Sequence, residues 1–226
     1  MVMTIPFAKG ENMDNSRSRS IHVSGTGKVS VEPDKADLIL SVEVQAKTAE
    51  AAKTQAAVAM DALIKSLKDA DVAGRDIQTR SISLYPNYSS DTANKITGYQ
   101  LTNQIAVCIR DLNKATDIID NAVQAGGNST RVQGMSFGIE NPERALAEAR
   151  EKAYVNAKTI GQQYAKLAGV TLGTPLHISE GTDVTPVPIA YSEMKMMAAT
   201  AESTSTPVQA GEQDVTITVD VSFGIQ

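Results

Sequence analysis

Between residues 214 and 225 apolar and polar residues alternate almost without a break: Val215, Ile217, Val219, Val221, Phe223 and Ile225 stand against Thr216, Thr218, Asp220 and Ser222. A period of two marks a strand with one buried face. A slip of one residue would turn that whole apolar set into water, so any fold of this chain must cover one side of this strand. The same period recurs in Ile21, Val23, Gly25, Gly27, Val29 and Val31, and after Pro33-Asp34 in Ala36, Leu38, Leu40, Val42, Val44 and Ala46. Residues 77–85 and 97–110 read as two more strands, the second burying Leu101, Ile105, Val107 and Ile109, with PNYSSDTANK as the hairpin loop between them. Residues 130–139 and 171–180 complete the strand set.

Three stretches change to a helical period. From Thr48, a credible N-cap, Ala52, Ala56, Met60, Leu63, Leu67 and Ala70 form one stripe. Asp111 or Asn113 caps a short helix carrying Ala115, Ile118, Ile119 and Ala122, which Gly126-Gly127 stops. Asn141-Pro142-Glu143 opens the clearest helix, because Pro at the first helical position needs no N–H partner and the carboxylate favours the positive end of the helix dipole. Its stripe is Leu146, Ala149, Ala153, Ala157, Ile160, Tyr164 and Leu167, and Gly169 closes it. From residue 36 the order strand, helix, strand, strand, helix, strand matches a split βαβ layout with both helices on one sheet face. The expected fold class is therefore α+β: a largely antiparallel sheet with a split βαβ core and the long Ala-rich helix packed on it, in one domain over residues 20–226 that can form two lobes.

The ends and the long connection read differently. The apolar run from Met1 to Ala8, ended by Lys9, is too short for a signal-peptide core or a membrane span, and residues 1–19 are expected to be a disordered arm in which Arg17 and Arg19 serve solubility. No run of 18 apolar residues occurs, so no stable transmembrane segment is expected. Residues 182–212, with Pro186, Pro188, Pro207, the cluster Met194, Met196 and Met197, and AATAESTSTP, are expected to be a long mobile loop.

Composition excludes several function classes. A net charge of -5 argues against broad electrostatic binding to nucleic acid. One Cys forbids an intramolecular disulfide, and one Cys with two His cannot supply a four-cysteine, a Cys2His2 or a three-histidine zinc site. Gly134-Met135-Ser136-Phe137-Gly138 fits the G-x-S-x-G nucleophile pattern, with His177 as the downstream base. Its strand is polar and the next helix waits until Pro142, so the favoured reading is a strand with glycine bends. Gly25-Thr26-Gly27 leads into more strand, which points to a bulge or close strand approach and away from a phosphate turn. Cys108, in strand alternation near Arg110, reads as an inert packing residue, and His22 and His177 as half-exposed structural residues. Tyr85, Tyr88 and Tyr99 cluster at the hairpin, where they can anchor a protein interface or pack on their own sheet. The Met194–Met197 group reads as a mobile segment, with an adaptable contact surface as the alternative. No catalytic, cofactor-binding or metal-binding residue is assigned.

The strings VSGTGKVSVEPDKADL, SISLYPNYSS with ITGYQLTNQIAV, AEAREKAYVNAKTIGQQYAKLAGVTLG and TPVQAGEQDVTITVDVSFGI together resemble the SIMPL-domain family, from Ser20 to Gln226. The resemblance implies an α+β fold, usually exported, with no established enzymatic activity, cofactor or catalytic residues. It also implies links to oxidative-stress tolerance, to ring or channel-like self-assembly, and in animal relatives to binding a signalling kinase. The resulting expectation is a non-enzymatic, self-associating envelope or stress-related protein: a homo-oligomer, open to a protein partner and extracytoplasmic, with the cytoplasm as the alternative compartment. Two other functions stay open, a small-molecule or lipid binder with a pocket between the Ala-rich helix and the sheet, and a serine hydrolase using Ser136.

Overall fold

The computed structural model describes residues 19–89, 95–181, 187–188 and 208–226. Contacts divide the chain into two compact units, one of Met1–Lys28, Ala147–Val184 and Thr216–Gln226, the other of Val29–Leu146 and Thr185–Val215. The first strand, β1 (Ser20–Val31), the long helix α3 (Glu143–Leu167) and the last strand, β8 (Gln213–Ile225), each run through residues of both units. Among the described residues, no helix is long and apolar enough to cross a membrane.

The larger unit holds β2 (Lys35–Ala46), α1 (Ala49–Asp69), β3 (Ile77–Tyr88), β4 (Ile96–Ile109), α2 (Ala115–Gly126) and β5 (Thr130–Gly138). Its strands pair antiparallel in the order β3-β4-β2-β5, which is the split βαβ arrangement expected from the element order. Leu38 lies opposite Val107 and Leu40 opposite Ile105, so the apolar rows of β2 and β4 share one face. The stripes of α1 (Ala52, Ala56, Met60, Leu63, Leu67) and α2 (Ala115, Ile118, Ile119, Ala122) pack into that same core. Thr48 caps α1, its hydroxyl accepting from the Ala51 amide at 3.2 Å. Asp111 accepts from Asn113 N in the short 3-10 turn that leads into α2, and Gly127, at φ 58°, ends that helix.

The smaller unit orders its strands β1-β8-β6, with β6 spanning Leu172–Glu180. The long Ala-rich helix α3 packs on this second sheet. The expected single sheet is therefore two antiparallel sheets, because alternation shows that β8 needs a buried face and says nothing of which strand it joins. Val187–Pro188, the short strand β7, pairs with Asp214 and Gln213 within the larger unit. Asn141 Oδ1 accepts from the Glu143 amide at the start of α3, and Gly169 takes φ 69° just beyond its end.

Ala149, Ala153 and Ala157 are fully buried, as the stripe predicts, but Tyr164 and Leu167 are exposed. The buried positions after Ala157 are Gly161 and Ala165, at steps of four. Small residues are required there: a Cβ on Gly161 would stand 3.2 Å from a ring carbon of Phe223. The Gly25 and Gly27 pair has the same origin. A Cβ on either would overlap the backbone of α3, at Ala153 and Ala157 for Gly25 and at Ala149 and Ala153 for Gly27. The close approach is that of a helix to the strand rather than of a second strand.

Candidate functional site: an uncovered edge strand

In the larger unit α1 and α2 cover β2 and β4 but leave β3 open. Among the described residues that strand pairs with β4 alone and forms the edge of its sheet. Ile82 lies opposite Asn103 and Leu84 opposite Leu101, so both point to the face on which the helices pack, yet Ile82 is 65% and Leu84 42% exposed. Tyr85, opposite Gln100, sits on the other face of the strand and is 67% exposed, while Tyr88 and Ile96 extend the exposed group at the hairpin end. The hairpin thus exposes large apolar side chains on both faces of its edge strand, Ile82 and Leu84 on one and Tyr85 on the other, of the kind that protein contacts use. Beside it, Asn103 Oδ1 is buried with no hydrogen-bond partner among the described residues. The strand runs three residues further than expected, through Pro86, which an edge strand tolerates because one side of it needs no amide donor. A register shift between Thr79 and Ser81 leaves Arg80 outside the pairing, and the regular pairing then runs from Ser81 to Asn87, with Ser81–Tyr85 the part that precedes Pro86.

Around Arg110 the unit carries an ion-pair cluster. Its guanidinium donates to Asp76 through Nε at 3.2 Å and Nη2 at 3.0 Å, and it also pairs with Glu140. The bond from Arg110 holds the Asp76 carboxyl below the usual carboxylate range against the opposing effect of burial, and Arg110 is itself pushed up. Cys108 is half-buried opposite Asp37; burial and then the Asp37 charge push its thiol up, outweighing Arg110 and Lys35. A raised thiol agrees with the inert reading of this cysteine.

Ser136 lies inside β5 opposite Asp37, followed by more strand. A nucleophile elbow needs a sharp strand-to-helix turn at the serine, so the G-x-S-x-G reading fails on geometry. Its proposed base, His177, belongs to β6 in the other unit. Gln133 and Gly134 mark a register shift against β2, and the Gln133 side chain uses it to donate to buried Ser41 at 2.9 Å.

Where Gly25 and Gly27 meet the backbone of α3 there is no room for the expected pocket, and the groove of about 550 Å³ along that helix is lined mainly by polar residues, among them Glu148, Glu151, Lys152 and Asn156. An apolar groove of about 720 Å³ lies instead between α2 and β5, lined by Ile119, Val123, Val132, Met135, Phe137 and Val208 among others. Arg17, Pro186, Pro207 and the Met194–Met197 group fall outside the described residues.

The histidines hold a relationship that sequence spacing missed. His22 on β1 and His177 on β6 flank the same residue of the strand between them: His22 Nδ1 is 2.6 Å from Ser222 Oγ, and His177 is paired in register with Ser222. Only the strand order β1-β8-β6 brings them together.

Comparison with known proteins identifies a family. The SIMPL family model, described as a protein of unknown function (DUF541), matches residues 21–223. The chain belongs to the SIMPL family. It is 35% identical over 232 residues to the 26 kDa periplasmic immunogenic protein of Brucella melitensis, covering 99% of this chain and 91% of that protein. It is 31% identical to the uncharacterized protein YggE of Escherichia coli, over 91% of this chain and 83% of YggE. A more distant relative is the human interleukin-1 receptor-associated kinase 1-binding protein 1, 26% identical over 72% of this chain and 60% of that protein.

Proposed function

We propose that this SIMPL protein is a non-enzymatic, self-associating protein of the cell envelope, whose copies meet at the uncovered edge strand β3. The observation that carries this reading is the exposed apolar group Ile82, Leu84, Tyr85, Tyr88 and Ile96 on one hairpin at a sheet edge. Exposed edges are pairing templates, and oligomerisation is one way to cover them. A second copy fits the strand by its own sequence. Two Ser81–Tyr85 segments run antiparallel about a two-fold axis set Ile82 of one against Leu84 of the other, with no charge in either stretch. The names of the relatives support the broader setting: the Brucella protein is called periplasmic, and the human one is named for binding a kinase.

Light scattering on a concentration series tests the reading. The wild type should exceed the mass of one chain, and Ile82→Asp combined with Leu84→Asp should reduce it to that of one chain while leaving the circular dichroism spectrum unchanged. A wild type that stays monomeric at tens of micromolar would refute it. A second reading, a binder of small apolar ligands, is favoured by the groove between α2 and β5; fatty acids should then raise the melting temperature, and Val132→Asp should abolish the shift.

A further inference from the structure

This chain of 226 residues contains two histidines, and both line one trough of about 360 Å³ on the smaller unit's sheet, together with Ser222 and Asp220. We propose that this trough binds one divalent transition-metal ion through the imidazoles of His22 and His177, with Ser222 beneath the ion.

The geometry follows from strand pairing. His177 and Ser222 are in register across β6 and β8, and His22 reaches Ser222 from β1 on the other side. Two strand spacings put the backbones of the two histidines about 10 Å apart. Imidazole arms reaching inward over Ser222 can close that gap on one ion, since nitrogen ligands bind Zn2+ at about 2.0–2.1 Å. His22 makes a second contact through its other ring nitrogen. Nε2 is 3.0 Å from Ser20 Oγ, and with Nε2–H donating there, the Nδ1 lone pair faces the trough. A ligand histidine held through its other ring nitrogen is the usual arrangement around a bound metal. In that tautomer, and with no ion bound, the Ser222 hydroxyl is the donor to the Nδ1 lone pair.

Charge points the same way. The trough's lining includes the Asp220 carboxylate and neither Lys nor Arg. Imidazole pairs suit Cu2+, Ni2+ and Zn2+, whereas Mg2+ and Ca2+ require oxygen cages. Among the described residues no three His, Cys, Asp or Glu side chains form a ready-made metal cluster, so water completes the coordination, and the site is an open, exchangeable one.

The full chain titrated with Cu2+ alone tests the proposal. Electron paramagnetic resonance should show one equivalent bound with coupling to imidazole nitrogens. His22→Ala and His177→Ala should each weaken binding at least about tenfold, the scale of losing a group that sets a metal site. Ser222→Ala, which frees Nδ1, should leave affinity equal or higher, a result that a purely structural role for His22 would not produce. Acid should release the ion, because histidine ligands must be deprotonated. Absence of saturable binding, full affinity in His177→Ala, or a tenfold loss in Ser222→Ala would each overturn the assignment. Unchanged melting of the variants without metal separates loss of the site from loss of the fold.

Discussion

Gly27 and Ala149 are in backbone contact: a Cβ on Gly27 would fall inside the space of the Ala149 carbonyl oxygen. One added methyl must therefore lift α3 from β1 or bend the strand. Gly27→Ala should cost about 2–3 kcal/mol, at the upper end for overpacking because the obstruction is backbone. For a chain of this size that lowers the melting temperature by about 4–12 °C, measurable by calorimetry. A change within one degree would mean that the helix does not sit this close.

Thr48→Ala should destabilise the protein by about 1 kcal/mol, because the Ala51 amide loses its acceptor. Thr48→Asp should recover most of it. Denaturant titration distinguishes the two, and equal stability of all three proteins would contradict the cap.

Such local signals were legible. Thr48, Asn141-Pro142 and Gly169 mark helix ends by chemistry that acts within a few residues; the α2 stripe is buried at every expected position and the α1 stripe at all but Ala70, which is half-buried at the cap beyond the helix. The split βαβ order followed from them. What the sequence does not carry is partnership. Ile82 and Leu84 alternate as regularly as Leu38 and Leu40, and only the edge position of β3 leaves them in water. His22 and His177 likewise look solitary until β8 enters between their strands. Tyr164 and Leu167 lie off the buried face because that face is too narrow for large side chains: the helix sets Gly161 against Phe223 and Leu172 and buries Ala165 one turn on.

Acid should weaken the larger unit through Asp76. Its folded pKa lies below the unfolded value of about 3.9, since Arg110 stabilises the carboxylate. The folded state then binds the proton less readily than the unfolded one. The resulting stability is fully present above the unfolded value and is lost as pH falls through the lowered folded value. Asp76→Asn should reduce stability at neutral pH and flatten the acid limb of a urea-midpoint series. An equally steep acid limb in that variant would assign the acid response to other groups.

The central claim is that copies of this chain cover the outer edge of β3. Hydrogen–deuterium exchange reads that edge directly. With rising protein concentration, amide protection should increase in Ser81–Tyr85 and stay constant in β2, which is already paired on both sides. Protection in Ser81–Tyr85 that is the same at dilute and concentrated extremes would contradict it.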